Sequence, residues 1–393
     1  MISVQEAIAA INRNVKPLVP VTMPVAQSLH YVLAEDVYAA LDFPSFRQSS
    51  MDGYAIRFND FDSGQSLIVS NEIPAGDTQH YALQKGEACR IFTGAPVPDG
   101  ADTVVMQEKT QMVNGALIID DVQLHKGANV REIGADILCG QLALEKGAVL
   151  TPAAIGFLIT IGIKQVVVFS KPSIALLVTG NELLKIDESP AFGKIYESNS
   201  HTLRAALQFL HHDIVETIFV KDDLKEVQSA LSDLLLKHDL ILITGGVSVG
   251  DYDYVVKAAE QCEVKQIFHK VKQRPGKPLY FGVKENKVVF GLPGNPSSVL
   301  TCFYEYVLLA LRNLCMQSHT LQVKYAPLKE KVNKVHTLTH FMKGYFDGET
   351  VVSLDAQESF RLSSFARANC LIKLDEPAKN YDAGEMVEIH LLP

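Results

Sequence analysis

Between residues 173 and 314 the chain alternates short apolar runs with amphipathic stretches. Residues 173–178, 214–220, 239–244 and 264–268 are apolar runs of strand length, and 279–290 reads as a hairpin. Between them, 200–211, 224–237, 251–261 and 296 to about 314 carry apolar residues at helical spacing. Strands separated by helices predict a mostly parallel α/β sheet with helices on both faces. Ligands of such sheets sit beyond the carboxyl ends of the strands. Glu182, Asp222, Gly245 and Asp251 all follow strand ends and are expected to converge on one edge.

The flanks differ. Ser3 and Glu6 form a capping-box pattern ahead of Val4, Ala7, Ile8 and Ile11, which predicts a helix. A second helical run is expected after Pro24, through Ala26, Leu29 and Leu33. Residues 41–140 carry recurrent Gly and Pro between short β-type runs at 66–70, 88–92 and 103–106, the pattern of a small barrel or sandwich. Helical character returns at Thr151-Pro152, an N-cap followed by a first-turn proline, and ends at Gly162. The expected division is therefore a two-segment helical domain (1–40 and 141–169), an inserted β-domain (41–140), the α/β domain (170–318) and a C-terminal β-barrel domain (319–393).

Composition narrows the class. The chain has 393 residues, 47% hydrophobic and 21% charged, enough for several globular domains. Its net charge of -9 argues against a general nucleic-acid binder. Six cysteines lie singly with no C-x-x-C pair, so reduced thiols are expected rather than zinc or disulfides. No apolar run is long enough for a membrane span and the N-terminus lacks a signal-peptide core, so a cytoplasmic, membrane-free protein is expected.

Candidate chemistry concentrates between 239 and 298. The run Gly245-Gly246-Val247-Ser248-Val249-Gly250 is neither a Walker loop nor a dinucleotide fingerprint, yet a glycine turn after a strand presents N–H groups to an anion. Asp251 and Asp253 follow it. Lys270, Lys272, Arg274 and Lys277 make a basic run in an acidic chain, with Lys270 and Lys272 expected on one strand face. Gly294-Asn295-Pro296-Ser297-Ser298 reads as a capped helix start that suits an anion, or as a purely structural cap. Glu182, Asp222, Asp223 and Asp251 are oxygen ligands of the type Mg²⁺ takes beside substrate phosphates; Asp251 and Asp222-Asp223 also fit simple helix starts. Asp52 in Ser50-Met51-Asp52-Gly53 and Thr93 in Thr93-Gly94-Ala95-Pro96 also read as plain turn residues.

Five segments resemble, in order, the hallmarks of the MoeA/gephyrin E-domain family of molybdopterin molybdenumtransferases. They are Ser50–Ala55, Thr93–Pro98, Thr244–Gly250, Pro275–Pro278 and Gly291–Pro296. The resemblance spans the whole chain. It implies a homodimer with the helical part at its interface, and insertion of molybdate into adenylylated molybdopterin with Mg²⁺-dependent release of AMP. It implies a catalytic set of Asp52, Thr93, Glu182, Lys270, Arg274 and Lys277. The substrate set is Arg131, Asp136, Gly245, Gly246, Ser248, Gly250, Asp253, Pro293, Gly294, Asn295, Pro296 and Ser297. Asp52, Thr93, Arg131 and Asp136 are then expected to come from the second subunit. Asn181 stands where the family commonly has Asp, Ala135 replaces an acid before Asp136, and residues 339–342 lack the family's Arg-rich pattern.

Two other classes fit parts of this pattern. One is a gephyrin-like scaffold; the other is a nucleotide enzyme such as a molybdopterin adenylyltransferase, itself a candidate partner together with molybdoenzyme maturation factors. Retention of Asp52, Glu182, Asp253 and the basic run favours the transferase, and the β-insertion disfavours the nucleotide enzyme.

Overall fold

The computed structural model describes residues 1–246, 254–317 and 321–393 of the chain. It divides into two compact units: Met1–Val21 with His30–Val32 and Val168–Pro393, and Thr22–Leu29 with Leu33–Val167.

The first unit is built on a six-stranded sheet. Its strands are β1 (Ile174–Thr179), β2 (Ile214–Val220), β3 (Leu240–Thr244), β4 (Lys265–His269), β5 (Tyr280–Lys284) and β6 (Lys287–Leu292). Their spatial order is β2-β1-β3-β6-β5-β4. Pairing is parallel from β2 through β6 and antiparallel across β6–β5–β4. The runs IALLVT and LILIT are buried along their whole length because helices cover both faces. Alternate residues point to opposite cores. Leu176 and Leu242 join Leu203, Leu207 and Phe303 on one side, while Leu177 and Ile243 join Val227, Leu231 and Val255 on the other.

The helices are α1 (Val4–Asn14), α2 (Asn199–Phe209), α3 (Leu224–Lys237) and α4 (Tyr254–Gln261), followed by a continuous helical run over 296–315. That run contains a π-turn at Phe303–Val307. The capping box of Ser3 and Glu6 is formed. α1 seats Val4, Ala7 and Ile11 in the α/β core. The apolar stripe of α1 packs against the Leu308–Cys315 part of that run.

The C-terminal part is a strand-built layer. Its main sheet runs Gln273–Arg274, Thr339–Phe346, Cys370–Leu374, Met386–Leu391, Gln322–Pro327, with Val351–Ser353 beside Thr339–Phe346. Its edge strand is borrowed from the basic run: Gln273 pairs with Thr339 and Arg274 with His340.

The second unit carries its own six-stranded sheet, in the order Thr103–Met106, Gly53–Ile56, Glu87–Ile91, Leu67–Ile73, Ala116–Ile119, Thr110–Val113. Helix Pro152–Thr160 starts where Thr151 accepts the Ala154 N–H at 3.2 Å. The helix expected after Pro24 is only a 3₁₀ turn, Val25–Gln27. Ser28 ends it by donating both its hydroxyl (2.7 Å) and its N–H (3.0 Å) to the Val25 carbonyl.

Candidate active site

The carboxyl ends of β1, β2, β3 and β6 open onto one cavity of about 900 Å³, a size suited to a substantial small molecule. Thr179 and Glu182 follow β1, Asp222 follows β2, Gly245 and Gly246 follow β3, and Pro293, Gly294, Asn295 and Pro296 follow β6. The chain passes from β1 outward to β2 and returns on the other side of β1 to β3, so the cavity lies at the sheet's switch point.

Gly245 is required there by geometry. Its φ is +89°, and a Cβ would sit 2.1 Å from the Thr179 carbonyl oxygen of the neighbouring strand. The turn therefore brings two backbones together in a way no side chain allows. Thr179 donates its hydroxyl to Asp222 Oδ1, and the Asn181 N–H reaches Asp222 Oδ2 at 3.3 Å, so Asp222 ties the β1 and β2 ends together. Among the described residues nothing hydrogen-bonds to the Glu182 carboxylate, which lines the same cavity. Asp223 does not line it: its Oδ1 caps α3, accepting the N–H groups of Lys225 (2.9 Å) and Glu226 (3.1 Å).

Arg274 and Lys277 bring exposed cationic heads to the cavity from the 273–278 turn. The turn is anchored beneath them. Wholly buried Gln273 accepts the Tyr306 hydroxyl and donates from Nε2 to the Gly276 carbonyl at 3.2 Å. Gly276, at φ +81°, lies so close that a Cβ would be 2.5 Å from Cys302 Sγ. Lys270 is not in the lining. At φ +81° it breaks the alternation that was expected to put it on one face with Lys272, and Lys272 turns instead to Glu376 at 3.9 Å.

The helix start at 295–298 splits its residues. Asn295 occupies the N-cap position but its side chain does not cap; its Nδ2 donates to Ser359 Oγ at 2.9 Å. Ser298 lines the cavity, whereas Ser297 is wholly buried outside the lining, its hydroxyl unpartnered among the described residues. Ser248, Gly250, Asp251 and Asp253 lie outside the described residues.

Several lining residues carry no signal in sequence. Glu197 accepts the Ser200 N–H at 2.8 Å and the Ser200 hydroxyl, and Asn199 donates to the Gly294 carbonyl at 2.8 Å. Leu338 and Gln357–Phe360 enter from the C-terminal layer. The pairing of Gln273-Arg274 with Thr339-His340 and the bonds of Asn295 and Ser297 to Ser359 bring that layer to the sheet edge. Among the described residues no group of three or more His, Cys, Asp or Glu is arranged to hold a metal.

In the second unit, Asp52 and Thr93 are joined directly. Asp52 Oδ1 accepts both the Thr93 N–H and the Thr93 hydroxyl at 2.8 Å. The Thr93 N–H, then its hydroxyl, outweighs the opposing desolvation, and with Arg90 nearby the Asp52 carboxyl is held below its usual range. Ser49 connects this pair to Arg131: the Ser49 carbonyl accepts the Gly94 N–H at 2.8 Å, and strand Gln48–Ser49 pairs with Val130–Arg131. Arg131 and Asp136 are both exposed, and the Asp136 N–H donates to the Phe43 carbonyl at 3.0 Å.

Fold and cavity define a multidomain α/β protein with a cavity at the switch point of its sheet. Residues 2–162 match the family described as MoeA N-terminal region (domain I and II). Residues 175–313 match the probable molybdopterin binding domain, and 325–392 the MoeA C-terminal region (domain IV). A protein named molybdopterin molybdenumtransferase from Staphylococcus aureus strain Mu50 is 35% identical over 400 residues, covering 99% of this chain and 95% of that protein. One of the same name from Haemophilus influenzae is 33% identical, covering 93% of each. The crystal structure of a molybdopterin biosynthesis MoeA protein from Pyrococcus horikosii superposes with a TM-score of 0.83 at 31% identity, covering 100% of this chain and 99% of that one. The chain belongs to the MoeA family.

Proposed function

We propose that this chain is a molybdopterin molybdenumtransferase that inserts molybdate into adenylylated molybdopterin and releases AMP, completing the molybdenum cofactor. The observation that carries this reading is the cavity itself. Glu182, Asp222, the Gly245-Gly246 turn, Arg274 and Lys277 meet at one sheet edge in a chain that matches its transferase relatives along 99% of its length.

The residues have distinct tasks. The Gly245-Gly246 turn and the 293–296 turn give close backbone access for the pterin phosphate. Arg274 offers a planar fork to molybdate or phosphate oxygens and Lys277 a point charge, and together they stabilise negative charge as the phosphoanhydride opens. Molybdate oxygen or water attacks, so no side-chain nucleophile is needed. Mg²⁺ fits this site through few protein ligands: Glu182 has its carboxylate open to the cavity, and substrate phosphates complete the shell. When bound, the ion draws charge from the phosphoryl oxygens.

The active form is a homodimer in which Asp52, Thr93, Arg131 and Asp136 of one copy complete the cavity of the other. The protein works in the cytoplasm, and among the described residues no helix is long and apolar enough to cross a membrane. The deciding experiment supplies adenylylated molybdopterin, Mg²⁺ and molybdate to the purified chain and follows AMP. Molybdate-stimulated AMP release is expected, and its absence rejects the transferase. Dimer complementation is read by mixing Asp52→Ala with Glu182→Ala: recovery of activity in the mixture is expected, and none is expected from either alone.

A further inference from the structure

The C-terminal layer contains a lysine that is nearly inaccessible and bonded wholly to carbonyls. Lys343, on strand Thr339–Phe346, is 2% exposed. Its Nζ donates to Ala356 (2.7 Å), Arg361 (3.2 Å) and Glu358 (3.3 Å). These acceptors use the three donors an ammonium has. The backbone of the same residue is held by Gln357, whose Oε1 accepts the Lys343 N–H at 3.0 Å and whose Nε2 donates to the Lys343 carbonyl at 2.8 Å. Ser364 adds a second donor to the Ala356 carbonyl at 2.8 Å.

The loop wrapped around this ammonium is a wall of the cavity. Gln357, Glu358, Ser359 and Phe360 line it. Ser359 continues the path: its Oγ accepts from Asn295 and its carbonyl accepts the Ser297 N–H at 3.1 Å. A buried ammonium is costly unless its hydrogens are satisfied, so the loop and the lysine fix each other. Glu358 and Arg361 from the loop and His340 from the strand are the ionisable groups around it.

We propose that Lys343 is a positioning residue for substrate binding: it holds residues 356–361 as the C-terminal wall of the cavity, and through Ser359 it sets the 295–297 turn on which the pterin phosphate rests. The substrate class rests on the transferase reading above. Lys343 touches no reacting atom; it acts through Glu358, Ser359 and Asn295. Its role is therefore in KM and not in the chemical step.

The test has an arm that needs no substrate. The Arg361 carbonyl, held by Lys343, belongs to the Arg361–Leu362 peptide bond that trypsin cleaves. In the full-length native protein, Lys343→Met is expected to speed cleavage after Arg361 about tenfold, the factor that losing one to two kcal/mol of charge-assisted bonding gives. Cleavage at residues of the α/β sheet is expected to keep its rate. Ser364→Ala, a milder change at the Ala356 carbonyl that Lys343 also holds, is expected to move cleavage in the same direction and covers the case in which Lys343→Met fails to fold. In the turnover arm, Lys343→Met raises KM for adenylylated molybdopterin about tenfold with kcat within about twofold. Unchanged cleavage after Arg361 in both variants overturns the proposal, as does a fall in kcat at constant KM. A wild-type chain without AMP release rejects the transferase reading and leaves the cleavage arm to judge the wall.

Discussion

A single carboxylate oxygen, Asp52 Oδ1, receives both the N–H and the hydroxyl of Thr93, each at 2.8 Å. The pair lies 41 residues apart in sequence, so the contact is a product of the fold and not of one turn. Two donors on one oxygen favour the ionised form, and among the described residues no hydrogen bond reaches Oδ2. Thr93→Val keeps the N–H and deletes the hydroxyl. The Asp52 pKa is therefore expected to rise part of the way back toward its usual value, which a carboxyl-carbon NMR titration reads. Because the wild-type pKa is lowered, the associated stability exists above the unfolded-state value and is lost as pH falls through the folded one. An unmoved Asp52 titration rejects the hydroxyl's share in holding the charge.

The glycine pair after β3 gives a graded prediction. Gly245→Ala drives a Cβ to 2.1 Å from the Thr179 carbonyl oxygen at φ +89°. The neighbouring backbone has to move, and urea unfolding is expected to lose on the order of 2–3 kcal/mol. Gly246→Ala meets only side-chain carbons at 3.1 and 3.2 Å, at φ +61°. That strain costs about 1–2 kcal/mol. Equal losses at the two positions contradict the close approach of β3 to β1.

Arg274 and Lys277 are expected to differ in kind. Arg274→Lys keeps the charge but loses the fork, so molybdate-dependent AMP release falls while the fold survives. Arg274→Met and Lys277→Met each lower the rate by about 10²–10³, the range for losing one preorganised donor to developing charge. Unfolding midpoints are expected to stay within a degree or two, because both heads are exposed. A wild-type rate in Arg274→Met removes this turn from the mechanism.

How much of this was legible follows from where each signal resides. The parallel sheet was, because IALLVT and LILIT are runs only a doubly covered strand carries. Gly245-Gly246 and the acids after β1 and β2 were, because the strand ends declare them. The fate of neighbouring polar residues was not. Ser297 and Ser298 are equal in sequence and both are buried, yet helical rotation puts Ser298 in the cavity lining and keeps Ser297 out of it. Asp222 and Asp223 are likewise adjacent, yet one ties β1 to β2 and the other caps α3. Lys270 was expected on a regular strand face, and a positive φ turned it out of the lining. The wall at 357–360 has no periodicity or motif, since it is shaped by the carbonyl bonds of Lys343, a residue that reads as a surface lysine.

A buried ionic clasp ties the C-terminal layer to the helical run over 296–315. His390, 8% exposed, sits between two carboxylates, with Nδ1 2.8 Å from Glu305 Oε1 and Nε2 2.8 Å from Glu388 Oε1. Neither carboxylate offers a proton donor when ionised, so both ring nitrogens must carry hydrogen and the imidazole is cationic. Burial pushes its pKa down, but Glu305 and then Glu388 outweigh burial and leave it raised. Glu305 reaches inward from the π-turn, and Lys373 holds the other carboxylate, Glu388, at 2.9 Å. A raised folded-state pKa means the clasp's stability is complete below the unfolded value of about 6.5 and drains away as pH rises through the folded value. The difference in urea stability between wild type and His390→Gln is therefore expected to be largest in mild acid and to shrink on the alkaline side. At its largest it is on the order of 3 kcal/mol, since the variant leaves a buried carboxylate without its cation. A stability difference that stays flat with pH shows that His390 does not titrate on unfolding, and the ionic clasp then gives way to a neutral hydrogen bond.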